Sequence, residues 1–164
     1  VGISPASGVP PYASQLNQLT VGSESWGVEW VSWHENQFII AECQYNLGQE
    51  QAALATLNNT LLNLEQRWQV FDPTCQLPRY ENIAGTELIA AIMNEKYKAM
   101  FLNMQTMSDW RRTGYPVFED RNGNSTECEN GTPRRLLYPE LEKKTNSNVP
   151  SGDSIFDRVE NDPN

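Results

Sequence analysis

The sequence predicts an all-α fold: a helical hairpin, a long third helix and extensive irregular loops. Apolar residues recur at helical spacing in three stretches. Only Gly48 and Gln49 separate the first two stretches. Beyond residue 115 the chain turns polar and loses any period, punctuated by Pro116, Pro133, Pro139, Pro150 and Pro163.

Residues 1–28 hold Pro5, Pro10 and Pro11 with Gly2, Gly8, Gly22 and Gly27, and read as loop. The first residue is Val, and no basic, apolar and small-residue leader follows it. The expectation is a chain that starts inside a longer protein, either trimmed or a portion of one.

The first helix is expected over 29–47, with Trp30, Trp33, Phe38, Ile40, Ala41 and Tyr45 facing the core and Gly48 as its stop. The second is expected over 50–68. There Leu54, Leu57, Leu61, Leu64 and Trp68 recur at steps of 3, 4, 3 and 4, which is one helical face. So short a link makes the two pack antiparallel. Asp72-Pro73 and Leu77-Pro78 mark the loop that follows. The third helix is expected over 86–108, capped by Thr86. Its stripe of Ile89, Met93, Tyr97, Met100, Met104 and Met107 reads as core, and Gly114 and Pro116 end it.

The length of 164 residues suits one domain. With 12 Lys+Arg against 21 Asp+Glu the net charge is −9, which argues against a nucleic-acid partner, because phosphate binding depends on Lys and Arg. The basic residues are unevenly placed: Arg67 alone lies within residues 1–68, and most of the rest cluster over 96–112 and 134–144. The longest strictly apolar run, residues 88–93, is far short of the roughly 20 residues a membrane span needs.

The residues that carry chemistry are sparse. Cys43, Cys75 and Cys128 have no metal-ligand spacing. Cys43 reads as a buried thiol within a helix; Cys75 and Cys128 lie in loops and can pair in an oxidising compartment. His34 is the single histidine, so no two-histidine metal site is available. Glu35 with Glu42, and Glu87 with Glu95, share rough helix faces, but 21 acidic residues make such pairs expected, and glycosidase chemistry needs two carboxylates across one cleft. Asp120, Asn122 and Asn124 open like a calcium loop, yet Ser125 and Gly131 stand where the loop needs glycine and a bidentate glutamate. Sequons occur at Asn58, Asn124 and Asn130. No metal and no cofactor is expected.

The aromatics are the informative excess. Trp30, Trp33, Trp68 and Trp110 sit in or beside helices, where core packing is the ordinary role. Tyr12, Trp26, Tyr80, Tyr115 and Tyr138 sit in loops among Gly and Pro. Flat rings in loops suit stacking on the CH faces of sugars, or they seal loops onto helices. Trp26 is the leading candidate for glycan stacking, with Tyr12 and Tyr80 after it. Gly22 and Gly27 flank Trp26, and Asn17 and Gln18 supply amides nearby.

Three segments resemble one family. S-W-H-E-N-Q-F-I-I-A-E-C over 32–43 resembles the Ala-Glu-bearing helix of the SusD/RagB family. N-E-K-Y-K-A-M-F-L over 94–102, continuing to S-D-W-R-R-T-G-Y-P over 108–116, resembles that family's long helix and its D-W-R-R-T-G-Y-P ending. T-P-R-R-L-L-Y-P over 132–139, with residues 140–144, Asn146 and Asn148, resembles a segment near its C-terminus. The resemblance implies an α-helical fold built partly from tetratricopeptide-like hairpins. It also implies a surface-exposed lipoprotein of the bacterial outer membrane that binds oligosaccharide, without catalysis, and delivers it to a SusC-type TonB-dependent transporter. On this reading residues 1–164 form the C-terminal part of a SusD-like domain. The N-terminal half, with its lipid anchor, is absent, and that anchor is the only membrane attachment. Asp109, Trp110, Arg111 and Arg112 are structural motif residues. At least one of the two arginines is expected to pair with Asp109, Glu42 or Glu35, since cations suit a helix C-terminus. A portion of a longer domain should also expose apolar surface on its first hairpin. The family's glycan-binding aromatics have no fixed motif, so none carries over by position. A tetratricopeptide-like interaction module without glycan binding is the alternative, and an open polar groove on the 50–68 helix would favour it.

Overall fold

The computed structural model describes residues 23–25, 27, 29–118, 132, 134–150 and 154–157. The chain divides into two compact units, Val1–Ser32 and Trp33–Asn164. Among the described residues all regular structure is helical: α1 (Trp33–Asn46), α2 (Glu50–Gln69), α3 (Gly85–Ala99), α4 (Gln105–Thr113) and α5 (Glu140–Thr145).

The hairpin forms as its spacing demands. α1 and α2 pack against each other, and α3 packs across both. Gly48 turns the chain at φ 74°, a left-handed conformation that costs a residue with a Cβ about 1 kcal/mol or more. The core is Phe38, Leu57, Leu61, Leu88, Ile92 and Met93, with Ala41, Ala53 and Ala91 as small residues where helices meet. Thr60 is fully buried and donates its hydroxyl to the Thr56 carbonyl at 2.7 Å, so its polar atom is satisfied.

Several expectations are corrected. The first helix begins at Trp33, four residues later than its apolar pattern suggested, and Trp30 is 96% exposed. The buried row of α1 is His34, Phe38, Ala41 and Glu42, so Trp33, Ile40 and Cys43 are exposed. Two polar members in the buried row displace the hydrophobic pattern by one step around the helix. Thr86 is exposed and lies inside α3; the Gly85 N–H ahead of it donates to Glu50 Oε1 of α2 at 3.2 Å.

The long third helix is two helices. Leu102 adopts φ 68°, and the Asn103 side chain accepts the Gln105 N–H at 2.9 Å, a local turn that competes with helix continuation. Met104 is therefore 82% exposed, while Met93 and Met100 stay buried. α5 had no period to announce it. It is one and a half turns long, with Glu140 and Glu142 in its first turn and Lys143 and Lys144 in its last, the order a helix dipole favours.

Candidate functional site

The motif residues converge at α4. Asp109 and Arg112 lie one turn apart and bond each other at 3.0 Å. Asp109 also takes Lys96 Nζ of α3 at 2.6 Å, and Lys96 is 96% buried. Arg112 reaches across to Glu42 of α1, with a short contact to Oε1 and a second to Oε2 at 3.0 Å. Two arginine N–H groups thus meet one buried carboxylate as a fork, the geometry that suits guanidinium. Hydrogen bonding to Glu42 holds the Arg112 proton more tightly than usual. Two cations and two anions of α1, α3 and α4 form one charge-balanced knot.

Arg111 faces another way and donates to the Arg134 carbonyl at 3.2 Å. The Arg134 guanidinium lies over the Trp110 ring at 4.8 Å. The N–H groups of Arg134 and Arg135 both donate to the Ile155 carbonyl, at 2.7 and 3.1 Å. Phe118 contacts both Tyr97 and Trp110, at 5.5 and 5.8 Å between ring centres. The D-W-R-R and P-R-R-L segments, distant in sequence, therefore dock on each other. Gly114 closes α4 at φ 76°, its N–H donating to the Trp110 carbonyl at 2.7 Å.

Beside the knot lies a pocket lined by Met93, Lys96, Tyr97, Thr106, Asp109 and Tyr115. Its volume of about 10 Å³ has room for about one water and none for a sugar ring. The candidate carboxylates are also engaged, Glu42 by Arg112 and Glu95 by Lys98 Nζ at 2.6 Å and the Tyr80 hydroxyl at 2.8 Å. Among the described residues no group of three or more His, Cys, Asp or Glu is placed to hold a metal ion. No helix there is long and apolar enough to cross a membrane.

The aromatic candidates part company. Trp26 and Tyr12 lie outside the described residues, as do Cys128 and the 120–124 loop. Tyr80 is half-buried against the core, donates its hydroxyl to Glu95, and its main chain is held at both polar atoms by Asn58. The sequon amide of Asn58 is thereby committed. Tyr80 belongs to a short extended segment strapped to α2. Gln69 donates to the Cys75 carbonyl at 2.9 Å, Glu65 accepts the Leu77 N–H at 2.7 Å and pairs with Arg79 at 3.1 Å, and Asn58 takes Tyr80. The helix rise from 58 to 69 and the extended length from 75 to 80 both come to about 16 Å, so the strap runs antiparallel in register. Trp33, expected to face the core, is 46% exposed at the start of α1.

The model of the SusD-like family, described as SusD and RagB outer membrane lipoprotein, matches residues 74–158. That span is just over half of the chain and holds both docked segments. No curated protein and no solved structure matches the chain.

Proposed function

We propose that this chain, which belongs to the SusD-like family of outer-membrane lipoproteins, binds oligosaccharide at the bacterial surface and passes it to a SusC-type TonB-dependent transporter. Family membership over residues 74–158 carries the reading. The protein acts as a binding protein and does no chemistry on the glycan. Its motif arginines are spent on scaffold: Arg112 binds α4 to α1, and Arg111 binds it to the 134–135 segment. Trp26 and Tyr12 stack on the sugar, while Tyr80, with its hydroxyl on Glu95 and its main chain on Asn58, is part of the helical scaffold. A peptide-binding alternative could not use the side of α2 that carries Asn58, Glu65 and Gln69, which is covered by the chain itself.

Calorimetry on the intact protein with a panel of neutral and anionic oligosaccharides tests this. The expected result is saturable binding without product release, weakened when Trp26 is replaced by Ala while helix content is unchanged. Equal affinity with and without the Trp26 ring removes that residue from the site. Hydrolysis of the titrant overturns the non-catalytic reading.

A further inference from the structure

Every exposed residue from Trp33 to Gln69 is uncharged, in a chain of net charge −9. The charged residues of that span, Glu35, Glu42, Glu50, Glu65 and Arg67, are all buried or half-buried. Solvated helix faces ordinarily carry charge. This hairpin instead presents Trp33, Asn36 and Ile40 from α1 and Asn59, Asn63 and Gln66 from α2, a surface of amides and apolar groups.

Trp33 and Asn63 are tied to one end of it. His34 is buried, meets the Trp33 ring edge-on at 5.3 Å and contacts Asn63 Oδ1 through Nε2 at 3.1 Å. The indole is thus anchored on a fixed neighbour while nearly half of the residue stays open.

We propose that this hairpin face binds an uncharged oligosaccharide, with Trp33 stacking on a sugar ring and the amides bonding hydroxyls. The proposal rests on the oligosaccharide reading above and adds to it a ligand class and a set of residues. Its argument is charge complementarity. A carboxamide offers both donor and acceptor, as a sugar hydroxyl does, and neither partner has to shed the hydration of an ion. An anionic glycan would find no counter-charge on this face and would meet the repulsion of the whole chain. Indole supplies a broad flat contact with few rotors to immobilise.

The experiment is calorimetry of the full chain with neutral mannan, xylan and glucan fragments and with an oligogalacturonate. Wild type, Trp33→Ala and Asn59→Asp are compared, with circular dichroism as the fold control. The expected result is binding of a neutral fragment, no binding of oligogalacturonate, and a loss of at least about tenfold for Trp33→Ala. Asn59→Asp, which only adds a charge to an exposed position, should weaken binding by a smaller factor at unchanged helix content. Neutral-glycan affinity unaltered in both variants would overturn the proposal while leaving oligosaccharide binding in place. A preference for oligogalacturonate would overturn it too, as would variants that lose a protein partner at unchanged glycan affinity. A wild-type chain that binds no fragment at all would instead sink the oligosaccharide reading, and this proposal with it.

Discussion

The Arg112 side chain is half exposed, yet it pairs with Glu42, whose own side chain is 9% exposed. Removing it strands a carboxylate away from water. A fully buried pair costs about 3–5 kcal/mol to break, and the open side of the guanidinium lowers that to about 1–3 kcal/mol. Arg112→Ala should lose that much in urea unfolding, whereas Lys143→Ala, whose 3.6 Å partner Glu140 is 77% exposed, should change stability by less than about 0.5 kcal/mol. Equal effects would show that the knot is not a scaffold. Tyr80 gives a pH prediction. Burial, then the bond to Glu95, raise its phenol above the ordinary value of 10.0. A raised folded value stabilises fully below the unfolded one and is lost as pH climbs past it. Stability should therefore decline above pH 10, and Tyr80→Phe should flatten that alkaline limb. Pairing at Arg112 was legible from its spacing to Asp109 and its place at a helix end. The exposure of Trp33 and Cys43 was not. Hydrophobicity finds a helix face only when the buried row is apolar, and here His34 and Glu42 occupy that row.

At the scale of elements, the hairpin could be read directly because Leu54, Leu57, Leu61 and Leu64 keep one face and Gly48 supplies the turn. The break between α3 and α4 could not. Met100, Met104 and Met107 hold the helical period straight through it, and the competing signal is one Asn103 side chain. Leu102 there carries a left-handed conformation that costs residues other than glycine about 1 kcal/mol. Leu102→Gly should therefore raise the melting temperature slightly if the elbow persists, and lower it if the two helices join as one. The strap on α2 makes the opposite forecast. Asn58→Ala leaves the Tyr80 N–H and carbonyl without their partner, so thermal unfolding should show a loss of about 1–3 kcal/mol, and Asn58→Asp should recover the N–H half of it.

At the scale of the whole molecule, charge is unevenly spread over the described residues. The uncharged exterior of α1 and α2 contrasts with α3 to α5, where Glu87, Lys98, Arg112, Glu140 and Lys144 are exposed. Binding of an uncharged glycan on the hairpin should keep the same affinity from low to high salt, since no ion pair is made or screened. A steep salt dependence in calorimetry would place the ligand among the cations instead. Family and fold class were legible at this scale because the 108–116 and 132–139 segments are specific. Their docking on each other was not, since Arg111 reaches a main-chain carbonyl, which leaves no mark in sequence. The strap along α2 has one more consequence, in kinetic terms. A tether of only five residues, 70–74, holds the 75–80 segment at an effective concentration on the order of millimolar. A free peptide making the same bonds at micromolar concentration competes at a disadvantage of about a thousandfold. The side of α2 that carries Asn58, Glu65 and Gln69 is thus reserved by mass action for its own chain, and a passing peptide meets a seat already taken there.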